Sequence, residues 1–148
     1  MPTLRRTTTI AAVAVSGLFA ASCGGEDKLS KTDYITQADK ICADAQKKLE
    51  AVPQPKSANE LKDYSAKLKP LLDDAVERLD ALEPDDAVKG SADALVSSTK
   101  SAVKVAEDLG KTTDEAKVQK LLETAEKTER STDARLKKDG FKDCASAR

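Results

Sequence analysis

The chain predicts an all-α protein, an antiparallel four-helix up-down bundle. Three observations predict it. From residue 33 onward the apolar side chains recur at spacings of three and four, with no sustained alternation of the kind a strand needs. The pattern is broken at Pro53-Gln54-Pro55, Glu83-Pro84 and Gly110 and stopped at Gly140. Segments of about 20 to 26 residues joined by short connections leave consecutive helices antiparallel. At 148 residues and 15.8 kDa the chain has room for one domain.

The first helix, over 33–52, carries Tyr34, Ile35, Ala38, Ile41, Cys42, Ala45, Leu49 and Val52 on one face, with Thr32 as the candidate cap. The prolines that follow cannot continue it. The second opens on Ser57 and Glu60 in capping-box spacing, the hydroxyl meeting a free N–H and the carboxylate reaching back. Its stripe runs Leu61, Tyr64, Leu68, Leu71, Leu72, Ala75, Val76, Leu79 and Leu82. Pro70 lies inside this run, removes a backbone donor and crowds the preceding turn, so a kink or short break is expected there. A gap opened at that proline is the candidate place for an apolar ligand.

Asp85 and Asp86 put negative charge at the start of the third helix, whose stripe is Val88, Ala92, Leu95, Val96, Ala102, Val103, Ala106 and Leu109. Gly90 leaves its first residue open, with Ser91 as one choice. Thr112 and Glu115 form a second capping box ahead of Ala116, Val118, Leu121, Leu122, Ala125, Thr128, Thr132 and Leu136. Gly140 followed by Phe141 has the form of a Schellman stop. The facing residues are mainly Ala, Leu and Val, which predicts close helix packing and little room for a large internal cavity.

Ahead of the helices, Arg5-Arg6 precede an apolar stretch centred on 10–21 that ends in small residues. This is the layout of an export signal, and about twelve strongly apolar residues fall short of the roughly 20 that span a bilayer. Residues 1–22 are therefore assigned to a signal peptide. The junction Leu18-Phe19-Ala20-Ala21-Ser22-Cys23-Gly24-Gly25 resembles the lipobox of bacterial lipoproteins. The resemblance implies cleavage before Cys23, acyl chains such as palmitate on its sulfur, and an acylated new N-terminus. Two or three chains anchor a protein stably where one is marginal. A plain secretory signal that leaves Cys23 a thiol is the alternative. General secretion fits better than twin-arginine export, because Thr7-Thr8-Thr9 stand where that signal has an aromatic residue and a leucine.

Residues 23–32 read as the lipidated cysteine and a small, charged, flexible tether, and 33–148 as the bundle. Eight tether residues reach up to about 25 Å from the lipid surface. With Cys23 given to lipid, an even pair remains in an exported chain, where disulfides persist. Cys42 and Cys144 are predicted to be joined; two buried free thiols are the alternative. Up-down topology returns the chain's end to the first helix, with Cys42 about 13 Å along it.

The lipobox, the opening Tyr34-Ile35-Thr36-Gln37-Ala38-Asp39-Lys40-Ile41-Cys42, the Ala-rich helices with an internal proline, and the closing Gly140-Phe141-Lys142-Asp143-Cys144 together resemble the small helical lipoproteins of high-GC Gram-positive bacteria. The resemblance spans the chain and implies a location, the outer face of the cytoplasmic membrane, and a fold. It implies no activity.

Chemistry is sparse. There is no His and no Trp, which removes imidazole catalysis, His metal sites and the Glu-x-x-His pairs of ferritin-like bundles. No cofactor is expected. Ser97-Ser98-Thr99-Lys100 and Ser101-Ala102-Val103-Lys104 satisfy S-x-x-K, and Lys111-Thr112-Thr113 is close to K-T-G. Penicillin-recognising enzymes need that serine at a helix start beside a strand that supplies an oxyanion hole, and here both motifs fall mid-helix. Asp73, Asp74 and Glu77, and Glu83, Asp85 and Asp86, form acidic clusters without the D-x-D-x-D-G loop of a Ca²⁺ site, and read as solvated faces and helix-start charge.

Lys plus Arg total 25 against 26 Asp plus Glu, and removing Arg5 and Arg6 leaves 23 against 26, a mature charge of −3. Nucleic acid is not an expected partner, and the lipid rather than the domain binds the membrane. Outside the signal peptide the aromatics are Tyr34, Tyr64 and Phe141, too few for stacking platforms. The first functional expectation is a non-enzymatic interaction or structural module of the cell envelope with an envelope protein as partner. The alternative is a carrier or sensor of a small apolar ligand held between helices.

Overall fold

The computed structural model describes residues 28–145. The signal peptide assigned to 1–22, Cys23 and the first tether residues lie outside the described residues. The described chain is all-helical: α1 (Lys31–Glu50), a 3₁₀ turn (Ala58–Glu60), α2 (Leu61–Asp80), α3 (Lys89–Leu109) and α4 (Glu115–Asp139).

Cross-helix bonds show how the helices run. Asp44 and Lys48 of α1 meet Arg78 and Asp74 of α2, so rising numbers on one pair with falling numbers on the other. The Ser65 hydroxyl near the start of α2 donates to the Ala106 carbonyl near the end of α3 (2.6 Å). The Ser91 hydroxyl at the start of α3 donates to the Asp139 carboxylate at the end of α4 (2.5 Å). Sequential neighbours are thus antiparallel. Extensive packing joins α2 to α3, α3 to α4 and α1 to α2, and α1 and α4 are not among these pairs.

Helix ends follow hydrogen-bond chemistry more than the motifs suggested. α1 begins two residues early, and its cap is Ser30 rather than Thr32: the Ser30 Oγ accepts from the Asp33 amide and donates to the Asp33 carboxylate (2.6 Å). Ser57 makes no side-chain cap bond, and Glu60 accepts from the Lys56 amide (2.8 Å), so the predicted box forms only its returning half, one residue off. α4 is capped by Asp114, which accepts from Ala116 and Lys117 amides, while Thr112 accepts from Asp114 itself. At the other end Gly140 has φ 99°, where only glycine is unstrained. The Phe141 amide bonds the Leu136 carbonyl and the Gly140 amide the Lys137 carbonyl, the Schellman pair, with Phe141 and Leu136 both buried.

α2 runs unbroken through Pro70, which is exposed. The short break expected there does not form. The last residues assigned to the tether are fixed to the bundle. Leu29 forms a parallel bridge with Pro84, its amide donating to the Glu83 carbonyl (2.6 Å) and its carbonyl accepting from Asp85 (3.0 Å). The Asp85 carboxylate accepts from Lys31 on one side and from Ala87 and Val88 on the other, tying the entry of α1 to the entry of α3. Residues 28–32 therefore belong to the domain.

The core is gathered at this end. Tyr34, Ala38, Ile41 and Cys42 of α1, Leu79 of α2, Ala92 and Leu95 of α3, Leu136 of α4 and Phe141 of the tail form one buried cluster with Val88 and Cys144. Tyr34 and Phe141 meet edge to face, centroids 6.2 Å apart at 78°. The predicted disulfide is present: Cys42 and Cys144 are bonded with Cα atoms 5.1 Å apart. At the far end Gly110 is needed for close approach, because a Cβ there meets the Ser65 Oγ at 2.5 Å.

Asp139 collects the three ends beside the core, accepting from Ser91 and from Lys31 (2.9 Å). The Ser91 hydroxyl first and Lys31 second hold its carboxyl below the usual carboxylate range. Arg78 and then Lys48 do the same for Asp44. A carboxyl more acidic when folded contributes stability that is complete above its unfolded pKa of about 4 and lost as pH falls below it. The urea midpoint is expected to drop as pH falls below about 4, and Asp139→Asn to flatten that drop; an unchanged profile in the variant excludes the role.

Candidate functional site

The half of the bundle away from the core is built differently. Along α4 the inward positions are Val118, Leu121, Ala125, Thr128 and Thr132, all only half-buried, and Leu136 is its one buried residue. Side chains this small and polar cannot fill the space over α2 and α3.

The result is a cleft of about 380 Å³ between α1 and α4. Its floor is Leu68, Leu72 and Ala75 of α2 with Ala102, Val105 and Ala106 of α3. One wall is Ala45 and Leu49 of α1, and the other is Ala125, Glu129, Thr132 and Asp133 of α4. The disulfide bounds one end and Gln54 and Tyr64 the other, the Tyr64 hydroxyl lying 3.4 Å from the Gln54 side-chain oxygen. The space lies open along the seam rather than enclosed within the packed helices. The Ala-rich faces bring backbones close within each packed pair but leave the unpaired seam empty.

Polar groups at the cleft are few. Ser98 and Thr99 reach it from α3, and the Thr99 hydroxyl is already donated to the Leu95 carbonyl (2.9 Å). Gln46 donates to Glu50 (2.9 Å) at the rim. Such a surface, apolar with a handful of polar groups, can hold a small apolar body by desolvation.

The residues singled out in the sequence fall as follows. Cys42 and Cys144 are together and both border the cleft. Pro70 is on the opposite, exposed side of α2 and lines no part of the cleft, whose α2 residues are its neighbours Leu68 and Leu72. The S-x-x-K serines lie mid-α3, with Ser97 and Ser101 exposed, and Lys100 is paired with Asp80 (2.6 Å) across to α2. Asp73 pairs with Lys69, and Asp74 with Arg78 and Lys48. Among the described residues no group of carboxylates and thiols is placed to hold a metal ion, and no helix is long and apolar enough to cross a membrane.

The roles of two residues escaped the sequence reading. Asp39 accepts from the Lys142 and Cys144 amides (both 3.0 Å) and seats the tail on α1. Its i, i+3 spacing to Cys42 was the available signal. Asp39→Ala is expected to cost about 1–2 kcal/mol and to speed reduction of the disulfide by dithiothreitol, measured by thiol release. Unchanged reduction kinetics exclude it. Tyr34 is fully buried, its hydroxyl has no hydrogen-bond partner among the described residues, and burial, with Asp93 and Asp80 adding, pushes it up to about 12.

Fold and site together define an all-α, disulfide-closed bundle with an apolar cleft along its open seam. No family model matches the chain, and neither a curated protein nor a solved structure matches it.

Proposed function

We propose that this chain is a lipid-anchored cell-envelope protein whose bundle is a non-enzymatic carrier or sensor, taking a small apolar ligand into the cleft between α1 and α4. The observation that carries the reading is the cleft itself, about 380 Å³ and lined from all four helices. That volume is within the range of about 300–1,000 Å³ typical of small-molecule sites. Of the two expectations drawn from the sequence, the cleft favours the second. It moves the ligand from the outer side of α2, where Pro70 is, to the inner side. The anchor rests on the lipobox around Cys23, and Cys23→Ser is the change that releases the protein from the membrane fraction.

Native mass spectrometry of the protein gently extracted from its own membrane tests the binding reading. A mass beyond the acylated chain, matching a small molecule and lost in Ala102→Leu, is expected. Ala102 is half-buried on the cleft floor, so the leucine fills space at a cost below about 1.5 kcal/mol. A bare lipoprotein in both forms sinks the carrier, and a co-extracted protein points to the partner-binding module instead. Turnover of an envelope substrate by the purified protein would overturn the non-enzymatic part.

A further inference from the structure

We infer that the depression over Tyr34, at the end of the bundle where α1 and α3 begin, is a second binding site, taking an apolar α-amino acid as its zwitterion. This goes beyond the cleft reading and does not rest on it.

The depression, of about 670 Å³, lies between the end of α2 and the first half of α3, with Lys28 at its edge and Tyr34 reaching it from α1. Among the described residues it shares Leu79 alone with the cleft between α1 and α4. Its apolar surface is Leu79, Leu82, Pro84, Ala92 and Val96, on which an aliphatic side chain sheds water.

What marks it as a site is the Tyr34 hydroxyl. Tyr34 is fully buried, and its oxygen is closed to solvent and has no hydrogen-bond partner among the described residues. The carboxylates whose charge reaches that oxygen, Asp93 and Asp80, both line this depression and not the cleft, so the hydroxyl faces this space. A buried hydroxyl left unpaired costs free energy that a ligand group entering here recovers. Burial first, then those carboxylates, push its pKa up to about 12, so it stays a neutral hydroxyl. A cationic N–H that donates to it suits the place better than an anion, which Asp93 and Asp80 repel.

The ion pairs around the hydroxyl are unequal. Lys100 closes on Asp80 at 2.6 Å and Lys28 on Asp86 at 3.2 Å, both as hydrogen bonds. Lys89 and Asp93 stand 3.8 Å apart, past hydrogen-bond reach, with side chains 60% and 67% exposed. An ammonium and a carboxylate carried on one carbon fit that pair: the ligand's ammonium donates to Asp93 and to the Tyr34 oxygen, and its carboxylate accepts from Lys89. Exposed side chains change rotamer in picoseconds to nanoseconds, so Lys89 and Asp93 can part to let the head group down to the buried oxygen. Glu83 also lines the space, and among the described residues four carboxylates (Asp80, Glu83, Asp86, Asp93) stand there against three lysines. The ammonium is therefore the end held more strongly.

The test compares leucine with 3-methylbutylamine, which lacks the carboxylate, and 4-methylpentanoate, which lacks the ammonium. Each is titrated into the purified full chain carrying Cys23→Ser, with calorimetry and the amide chemical shifts of the first turns of α3 as readouts. Leucine is expected to bind about fivefold tighter than the amine and about tenfold tighter than the acid, as one exposed charge contact and one charge-assisted hydrogen bond provide. Tyr34→Phe keeps the ring and is expected to weaken leucine binding about tenfold, the loss of one hydrogen bond. Lys89→Gln is expected to bring leucine within about twofold of the amine. Ala102→Leu, which fills the cleft, is expected to leave leucine binding unchanged.

No binding of leucine up to about 10 mM overturns the inference. So does leucine that binds no tighter than the amine or the acid, or a leucine affinity that Tyr34→Phe leaves unchanged. Leucine binding lost in Ala102→Leu and kept in Tyr34→Phe puts the amino acid in the cleft, which overturns the second site and leaves the cleft reading standing.

Discussion

Opening the Cys42–Cys144 bond is expected to lower the stability of the bundle by about 4 kcal/mol, and its urea midpoint by about 2 M. The bond joins positions 102 residues apart, so it removes a large share of the unfolded chain's freedom. It also fastens the only covalent link between α1 and the tail of α4. Without it that junction is held by the Asp39 carboxylate, the Tyr34–Phe141 ring contact and the Lys31–Asp139 pair. The comparison is urea denaturation of the oxidised protein against Cys42→Ser with Cys144→Ser, followed by far-ultraviolet circular dichroism. A loss below about 1 kcal/mol would mean that the tail docks as well without the bond. Mass measurement after alkylation of the unreduced, denatured chain checks that Cys42 and Cys144 are both blocked before the comparison begins.

Tyr34→Ala is expected to cost about 3–5 kcal/mol, whereas Tyr34→Phe is expected to stabilise by up to about 1 kcal/mol. The two substitutions separate the ring from its hydroxyl. The ring is fully buried in the core cluster against Phe141, and truncation leaves a cavity where α1, α2, α3 and the tail meet. The hydroxyl is buried without a partner among the described residues, with Asp93 and Asp80 close enough to disfavour its ionisation further. Removing an unsatisfied buried donor relieves a desolvation cost and breaks no bond. Thermal and urea unfolding of both variants decides the matter, and a destabilised Tyr34→Phe would show that the hydroxyl is bonded in solution.

Legibility in the sequence varied with the range of the forces involved. The four helices were readable because amphipathic spacing reports burial locally: Tyr34, Ala38, Ile41 and Cys42 repeat at threes and fours and are the buried positions of α1. The Gly140 stop was readable because φ 99° is a local demand only glycine meets cheaply. Cap assignment was less secure. Ser30, Thr32 and Asp33 all suit a helix start, and Asp114 competes with Thr112, so the choice fell to whichever side chain could reach a free amide of the first turn, that of Asp33 for Ser30 and those of Ala116 and Lys117 for Asp114. Pro70 read as a site because a proline in a helix is locally disruptive, yet the helix continues past it and the proline faces solvent.

The cleft was not legible, because it is a property of a seam and not of any helix. Leu49, Leu68, Leu72 and Val105 belong to stripes that look ready for a closed core. Whether they are covered depends on the distance between α1 and α4, which no spacing within one helix encodes. The weak signal was Thr128 and Thr132 standing in the α4 stripe where the other helices carry leucine or valine.

The sequence alone determined the helical class and the helix order, since periodicity and breakers act on the chain before it is assembled, and it made Cys42 with Cys144 the expected pair. Tertiary structure alone decided that the core gathers where Tyr34, Leu136 and Phe141 meet, that Asp39 and Asp139 lock the ends, and that the opposite half of the seam stays open. The physical reason is that a helix stripe specifies which face is apolar, whereas filling the space between faces depends on side-chain volumes from all four helices at once.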